Sequence, residues 1–259
     1  DDMSSVERQR QAARDLQTYI DQWDDGVLND SGWWRIVTSP AEARQVVAQG
    51  RLAVVLGIEV GALFGCSEPA GCDGYDVWTG VRRYYDAGVR QITFMHGENN
   101  AFGGTALFQP VYGVSNKDYN GAYFDVYDCS AAGYDFRLEQ DLLTAAVLAV
   151  VSGYFPPAYP GAPAGHCNGK GMTDLGHSLV NALTAHGMII DLDHTSRITR
   201  DALLEALTTT WADRRPAVFS SHNAYNSIIR GPGKNEEGLE DGDLAALDEP
   251  LGHREPETQ

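Results

Sequence analysis

Apolar and polar positions follow a repeated order along this chain, in which a segment with helical spacing precedes a short apolar run. Apolar residues at Ala12, Leu16 and Ile20 predict a helix over residues 4–23. Further helices are predicted at residues 39–49, 78–87, 173–186 and 199–207, and apolar strands at 52–59, 89–96, 188–194 and 216–222. Repeated helix-then-strand units are typical of a parallel α/β architecture.

Two of these elements carry strong local signals. Ser39 is placed to cap a helix, Pro40 to occupy its first position, and Glu42 to reach back to the cap. The continuous apolar run at 52–59 predicts a strand that is buried on both faces of a parallel sheet.

The alternation stops between Gly97 and Gly171, where Gly, Asn, Tyr and Pro are frequent and only residues 136–151 have helical spacing. We interpret residues 97–171 as a long insertion over the mouth of a barrel, acting in function or as a lid. A length of 259 residues suits one barrel. The prediction is an incomplete (β/α)8 TIM-barrel-like α/β fold in a single domain, residues 1–249, followed by a flexible tail at 250–259.

The composition excludes some classes of partner. The 36 Asp and Glu against 19 Lys and Arg give a net charge of −17, which disfavours nucleic acid and anionic membrane surfaces. No apolar run approaches the roughly 20 residues that span a bilayer. The polar start, Asp1-Asp2-Met3, lacks a signal-peptide pattern, as expected both of a mature exported chain and of an excised segment.

Four cysteines indicate disulfide bonding. Cys66 and Cys72 bracket a stretch with Gly and Pro, which fits a small disulfide-closed loop, and Cys129 with Cys167 is a candidate second bridge. Four free thiols in a reducing compartment are the alternative. A structural zinc site is disfavoured because no Cys-x-x-Cys spacing occurs. The cysteines lead us to expect an exported protein.

Each of the four predicted strands ends in a side chain that can bind metal or move protons: Glu59, His96, His194 and His222. The carboxyl ends of parallel barrel strands share one face, so these side chains are expected to converge. One Glu and two His meet the needs of a catalytic zinc site with an open position for water. A single His after a strand is more often a hydrogen-bonded structural residue, but four such strand ends together favour a metal-dependent hydrolase.

The remaining histidines carry less chemistry. His177 and His186 lie on one predicted helix without a ligand partner one turn away, which indicates surface or packing roles. His166 lies in the predicted insertion, where we favour a loop role, and His253 lies in the tail.

Four segments, in their order along the chain, resemble motifs of the membrane (renal) dipeptidase family of zinc metallopeptidases. They are Gly-Ile-Glu-Val-Gly at 57–61, the segment 88–96 with Asn-Asn-Ala-Phe at 99–102, the segments 171–176 and 187–196, and Val-Phe-Ser-Ser-His-Asn-Ala-Tyr at 218–225. The similarity covers about residues 5–247.

The resemblance implies roles for the individual residues. Glu59 would bridge two zinc ions, and His194 with His222 would complete one of the two sites. His96 would be catalytic, contacting the substrate and steadying the developing oxyanion. Arg230 and Tyr225 would bind the substrate, with Arg230 holding its carboxylate. A solvated loop cation is the alternative for Arg230.

The chain departs from the family pattern at two places. It contains no His-x-Asp, which supplies ligands to the other zinc in the family, and no late Gly-Gly-Asp-type strand. We therefore expect a barrel cut at both ends, with ligands for one zinc site complete.

Three functions follow as hypotheses. The first is a zinc-dependent, dipeptidase-like hydrolase that cleaves a short peptide or related amide, with a homodimer as one expected assembly. The alternative is a non-catalytic relative that binds metal or a small ligand, or an inactive fragment of such an enzyme. The third is another barrel amidohydrolase acting on a lactone or phosphoester. The variants that use a carboxylated Lys as a metal ligand are disfavoured, because none of the four strand ends carries a Lys. Imidazole and carboxylate ligands also suit Mn, Fe and Co.

Overall fold

The computed structural model describes residues 33–67, 71–132, 142–154 and 165–222, together with Gln11, Phe136, Leu138 and Tyr159. The predicted helix at 4–23 and the tail at 250–259 fall outside the described residues, apart from Gln11.

The described strands form a mixed α/β structure around a parallel sheet. The strands are β1 Trp34–Ile36, β2 Leu52–Val54, β3 Leu56–Ile58, β4 Val89–Thr93, β5 Val126–Asp128, β6 His166–Asn168, β7 Ile189–Asp191 and β8 Ala217–Phe219. Strands β3, β4, β7 and β8 make a four-stranded sheet in that order, and every neighbouring pair is parallel. Strands β1 and β2 form a separate parallel pair, and β5 with β6 an antiparallel one.

Six α-helices lie within the described ranges, and those predicted at 78–87, 173–186 and 199–207 are confirmed. Their bounds are α1 Pro40–Ala48, α2 Gly74–Asp86, α3 Pro110–Asn120, α4 Leu142–Ser152, α5 Asp174–Ala185 and α6 Arg197–Thr208. Helices α2, α5 and α6 precede or connect the parallel strands, which confirms the predicted helix–strand alternation. Closure of these strands into a barrel, and the division of the chain into a barrel and an insertion, stay predictions.

The predicted strand at 52–59 is broken, contrary to the sequence-based expectation of one doubly buried strand. Its first half, β2, pairs with β1, whereas its second half, β3, pairs with β4, and the register shifts between Leu56 and Gly57. Leu52 and Val55 are 53% and 44% exposed. The apolar run therefore serves two short pairings in succession, and only Ile58 in β3 is buried.

The start of α1 agrees with its predicted cap in part. The Ser39 side chain accepts a hydrogen bond from the Glu42 backbone at 3.2 Å. The Glu42 carboxylate accepts from the backbone of Thr38 at 2.8 Å, one residue earlier than a capping box would have it. The same carboxylate also accepts a hydrogen bond from the Thr38 hydroxyl at 3.2 Å.

One large apolar core joins α2, α5 and α6 to the parallel sheet. Val77 and Val81 of α2 and Leu179 and Leu183 of α5 are fully buried in it, as is Ile190 of β7. A smaller cluster, formed by Phe124, Val126 and Leu138, lies within the segment between β4 and α5. No helix in the described residues is both long and apolar enough to cross a membrane.

Both candidate disulfides are present. Cys66 is bonded to Cys72 across 6 residues, and Cys129 to Cys167 across 38 residues. The second bond joins the residue after β5 to the middle of β6, so it fastens the antiparallel pair beside the parallel sheet.

The two bonds are expected to differ in what they contribute to stability. Because a cross-link removes more chain entropy from the unfolded state when its loop is longer, removing Cys129–Cys167 should lower the free energy of unfolding by about 4 kcal/mol, and removing Cys66–Cys72 by about 2 kcal/mol. Urea unfolding of the two double Cys→Ala variants measures both. Equal losses, or a larger loss for the shorter loop, would contradict this expectation.

Candidate metal centre

Three imidazoles surround one carboxylate oxygen at the carboxyl edge of the parallel sheet. The Glu59 Oε1 atom lies 2.9 Å from Nε2 of His194, 3.4 Å from Nε2 of His222 and 3.6 Å from Nε2 of His96. The ring of His194 lies between the other two, with centroid distances of 4.8 Å to His96 and 4.6 Å to His222. The four residues that the sequence places at strand ends therefore converge, as predicted.

The register of the sheet explains this convergence. Thr93 of β4 pairs with Asp191 of β7, and Asp191 pairs with Phe219 of β8. These three paired residues lie side by side across the sheet, and His96, His194 and His222 each follow one of them by three residues. Because parallel strands keep equivalent positions side by side, this equal spacing brings the three rings to one edge.

The backbone of His194 adopts a left-handed conformation, with φ of 63°. A residue other than glycine rarely adopts this conformation unless its surroundings hold it. Here the His194 carbonyl accepts hydrogen bonds from the Ala106 backbone at 2.7 Å and from the Thr105 hydroxyl at 3.0 Å. The loop after β4 thus fixes the residue at the centre of the imidazole group.

Buried asparagines hold that loop in turn. The Asn99 side chain accepts from the Thr105 backbone at 3.0 Å and from Asn168 of β6 at 2.6 Å. The Asn168 amide also donates to the Thr105 carbonyl at 2.8 Å. The Asn116 side chain of α3 accepts from the Asn99 backbone at 2.9 Å. Satisfied buried networks of this kind favour one rigid conformation.

A buried carboxylate, Asp191, joins the three histidine-bearing strands. It accepts hydrogen bonds from Gln91 at 2.6 Å, from Thr93 at 3.1 Å, and from the backbones of Asp193 and Ser221 at 3.1 and 3.3 Å. Any side chain at Gly57 would collide with Gln91, so the glycine gives Gln91 the room to reach this carboxylate.

Asp191 and Asp193 form a second group with His222 whose ligand atoms lie close enough together to hold a metal. Sequence reasoning missed both carboxylates; the signal was the Asp-x-Asp-His run at the end of β7. The four hydrogen bonds to Asp191 indicate a structural role for that residue.

His194 is suited to act as a ligand. Burial, with the neighbouring His96 next in size, lowers the pKa of its imidazole, although the Glu59 carboxylate acts in the opposite direction. The neutral imidazole is the form that binds metals. Its Nε2 atom is buried and makes no hydrogen bond within the described residues, even though Glu59 is 2.9 Å away. A buried ring nitrogen without a hydrogen bond is costly unless a ligand occupies it.

The distances from the Glu59 oxygen to the three imidazole nitrogens suit ligands of one metal ion. Ligand atoms about 2.05 Å from a tetrahedral zinc lie about 3.3 Å from each other. The three distances from Glu59 Oε1, 2.9, 3.4 and 3.6 Å, lie on both sides of that value. Imidazole nitrogen and carboxylate oxygen are donors that zinc accepts, and they also suit Mn, Fe and Co.

The structure places the other predicted residues in different ways. Arg230 and Tyr225, the predicted substrate-binding residues, lie outside the described residues. His166 lies in strand β6, not in a loop, and its Nδ1 accepts from the Leu138 backbone at 3.0 Å. His177 packs against Trp211, and the ring of His186 contacts those of Trp78 and Tyr85, in agreement with packing roles.

An aromatic wall, formed by Phe108 and Tyr112, lies beside His96. The Tyr112 ring meets the His96 ring edge-on, with centroids 6.4 Å apart, and the Phe108 ring lies 6.3 Å from Tyr112. A side chain at Gly97 would collide with Tyr112, so the tyrosine ring packs directly on the backbone that follows His96. Phe108 is 64% exposed.

No protein-family model matches this chain, and no curated protein matches it significantly. Among solved structures, the chain is similar to an amidohydrolase from Pseudomonas aeruginosa, with 13% sequence identity and a TM-score of 0.42. That match covers 78% of this chain and 37% of the amidohydrolase.

Two further solved structures are similar at comparable levels. A metallo peptidase from Rhodobacter sphaeroides, liganded with a phosphinate mimic of the dipeptide L-Ala-D-Ala, has 16% identity and a TM-score of 0.37 over 67% of this chain and 32% of that one. A probable dipeptidase from Pseudomonas aeruginosa has 17% identity and a TM-score of 0.37 over 77% and 34%. The chain thus spans about a third of the length of the solved structures that it matches. At these TM-scores the similarity is too distant to define a shared fold, and membership of the membrane dipeptidase family stays a prediction.

Lys170 supports the loop after β4, and its lowered pKa makes the stability of the fold depend on pH. Its ammonium group donates to the Asn100 carbonyl at 2.9 Å, and burial lowers its pKa to about 8 from 10.5. Between these two values the unfolded chain binds more protons than the folded chain, so this lysine makes stability rise with pH. The free-energy cost of burying the charged ammonium group is fully present below pH 8 and is lost as the pH rises to 10.5.

A Lys170→Met variant removes this titration while keeping the aliphatic stem. The difference in unfolding free energy, wild type minus variant, should increase from pH 7 to pH 10. A difference of one bound proton between the unfolded and folded chains would give about 1.4 kcal/mol per pH unit, and we expect less because the side chain is only half-buried. Urea titrations at pH 7, 8.5 and 10 measure it. A difference that stays flat or falls with pH would contradict the assignment.

Proposed function

We propose that this chain carries the metal centre of a zinc-dependent, dipeptidase-like hydrolase that cleaves a short peptide or related amide. The observation that carries the proposal is the approach of three imidazole Nε2 atoms to one oxygen of Glu59, all within 3.6 Å. Coincidence does not account for such a group, because the four residues come from four different strand ends.

Glu59, His194 and His222 would hold the ion, as the resemblance to the membrane dipeptidase family implies. When bound, zinc polarises a carbonyl and lowers the pKa of a water molecule towards neutrality. The chain's own contribution is to fix the ligands. The left-handed backbone of His194 and the hydrogen bonds to its carbonyl hold the central imidazole in place before any ion arrives.

His96 would act on the substrate. Its side chain is 40% exposed, and its Nε2 is the most distant of the three from the Glu59 oxygen, at 3.6 Å. An imidazole N–H at that place can donate to the oxygen on which negative charge develops as an amide carbonyl is attacked, which stabilises the transition state. His96 also belongs to a group with Glu59 and His194 whose atoms are close enough to share one ion, and the variants described below separate the two roles.

The surroundings of the centre support a small organic substrate. Phe108 and Tyr112 give an apolar wall beside His96 against which a side chain of a short peptide can pack. The two disulfides favour an oxidising, extracytoplasmic location. A second zinc, as in the family, would need ligands beyond Glu59, His194 and His222. A homodimer stays a prediction.

Metal content tests the proposal directly. After stripping and zinc reconstitution, the chain should retain about one zinc, since one Glu and two His complete one site. Glu59→Gln and His194→Ala should each weaken zinc binding by roughly 100-fold or more, beyond the effect of removing a supporting residue. Elemental analysis and competition with a chelator measure both. The control is His177→Ala, which removes an imidazole that packs against Trp211 away from the centre.

Hydrolysis of a dipeptide panel then separates the candidate functions. The zinc-loaded chain should cleave at least one dipeptide, and His96→Ala should retain zinc while losing about 100-fold or more in kcat, as expected of an oxyanion donor. Zinc loss in His96→Ala would instead make His96 a ligand. Tight zinc binding without turnover of any peptide or amide would contradict the hydrolase and favour the metal-binding relative. Absence of zinc binding would contradict the metal centre itself.

A further inference from the structure

The imidazole of His222 is contacted at both of its nitrogen atoms. Its Nε2 lies 3.4 Å from Glu59 Oε1, towards the candidate metal centre. Its Nδ1 lies 2.6 Å from the Ser221 hydroxyl and 3.6 Å from Asp193 Oδ2. A neutral imidazole carries one proton, so these two sides compete for it.

Asp193 organises the segment that carries His222. One carboxylate oxygen, Oδ2, accepts the backbone N–H of His222 and the Ser221 hydroxyl, the latter at 3.4 Å. The other, Oδ1, accepts the Ser220 hydroxyl at 2.7 Å. The side chain is only 10% exposed, and the residue directly precedes His194. A single carboxylate therefore ties the end of β7 to three consecutive residues at the end of β8.

We propose that Asp193, acting through the Ser221 hydroxyl, is a positioning residue that keeps the His222 proton on Nδ1 and leaves the Nε2 lone pair facing Glu59. With N–H at Nδ1, the ring donates to the Ser221 oxygen at 2.6 Å, and the hydroxyl donates its single proton to Asp193 Oδ2 at 3.4 Å. With N–H at Nε2, the hydroxyl would donate to Nδ1 instead, and its hydrogen bond to Asp193 would be lost.

The distances decide between the two tautomers. The charges on Glu59 and Asp193 act on opposite sides of the ring from 3.4 and 3.6 Å, so their preferences for the proton nearly cancel. The 2.6 Å hydrogen bond between Ser221 and Nδ1 forms in either tautomer, but only N–H at Nδ1 leaves the hydroxyl proton free for the 3.4 Å hydrogen bond to Asp193. The 3.4 Å approach of Nε2 to Glu59 is an ion-pair contact. The Ser221–Asp193 hydrogen bond therefore favours N–H at Nδ1.

This arrangement bears on metal binding. A histidine ligand whose second nitrogen donates to a carboxylate, here through one hydroxyl, is oriented and made more basic by it. For this consequence the inference rests on the proposed function. The tautomer itself follows from the hydrogen bonds and does not depend on a metal.

Two serines next to each other provide the matched test. Ser221→Ala removes the hydroxyl between His222 and Asp193, whereas Ser220→Ala removes a hydrogen bond to the same carboxylate without contacting the ring. The first measurement is the 15N NMR spectrum of the His222 ring in the metal-free full chain, at a pH where imidazole is neutral. We expect N–H at Nδ1 in wild type and Ser220→Ala, and a shift towards N–H at Nε2 in Ser221→Ala. Ser221→Thr, which keeps a hydroxyl, should restore the wild-type spectrum.

Zinc affinity is the second measurement. Ser221→Ala and Asp193→Asn should each bind zinc about 10- to 100-fold more weakly, and Ser220→Ala should not. A wild-type tautomer and affinity in Ser221→Ala, or equal effects of the two serine variants, would overturn the inference. Failure of wild type to bind zinc would contradict the proposed function alone, because the spectrum of the metal-free chain still reports whether Ser221 and Asp193 set the tautomer.

Discussion

The buried carboxylate of Asp191 is the interaction on which the rest of this site depends. It lies in the middle of the parallel sheet, fully buried, and accepts hydrogen bonds from β4, from its own strand end and from the end of β8. Those are the three strand ends that carry His96, His194 and His222. A buried charge is tolerated only when it is fully hydrogen-bonded. Satisfying Asp191 therefore requires the three strand ends to keep one relative arrangement.

A second set of polar groups fixes His194 from the other direction. Asn99, Asn168 and Thr105 hold the loop after β4, and that loop supplies two hydrogen bonds to the His194 carbonyl. The central imidazole is thus held by the sheet and by the loop after β4. Both supports are buried, whereas the Glu59 carboxylate that the imidazoles surround is 31% exposed. Rigid support under an accessible group of donor atoms is the arrangement expected of a centre that binds an ion and a substrate.

The parts of the site that the sequence predicted are those that depend on strand periodicity. Short apolar runs ending in Glu or His were enough to predict that Glu59, His96, His194 and His222 converge, because parallel strands place equivalent ends on one edge. The sequence did not reveal the break between β2 and β3, since an apolar run reads the same whether one partner strand or two lie beside it. It also missed Asp191 and Asp193, whose roles depend on which hydrogen-bond donors surround them. His166 was assigned to a loop because one short strand in a Gly-rich segment has too few residues to show alternation.

The sequence by itself determined the alternation of helices and strands and the identity of the four converging side chains. Both follow from local spacing along the chain. Only the tertiary structure decided how the four cysteines pair, which carboxylates support the centre and why His194 holds a left-handed backbone. Those properties depend on distances between atoms of different strands and loops, which spacing along the chain does not encode.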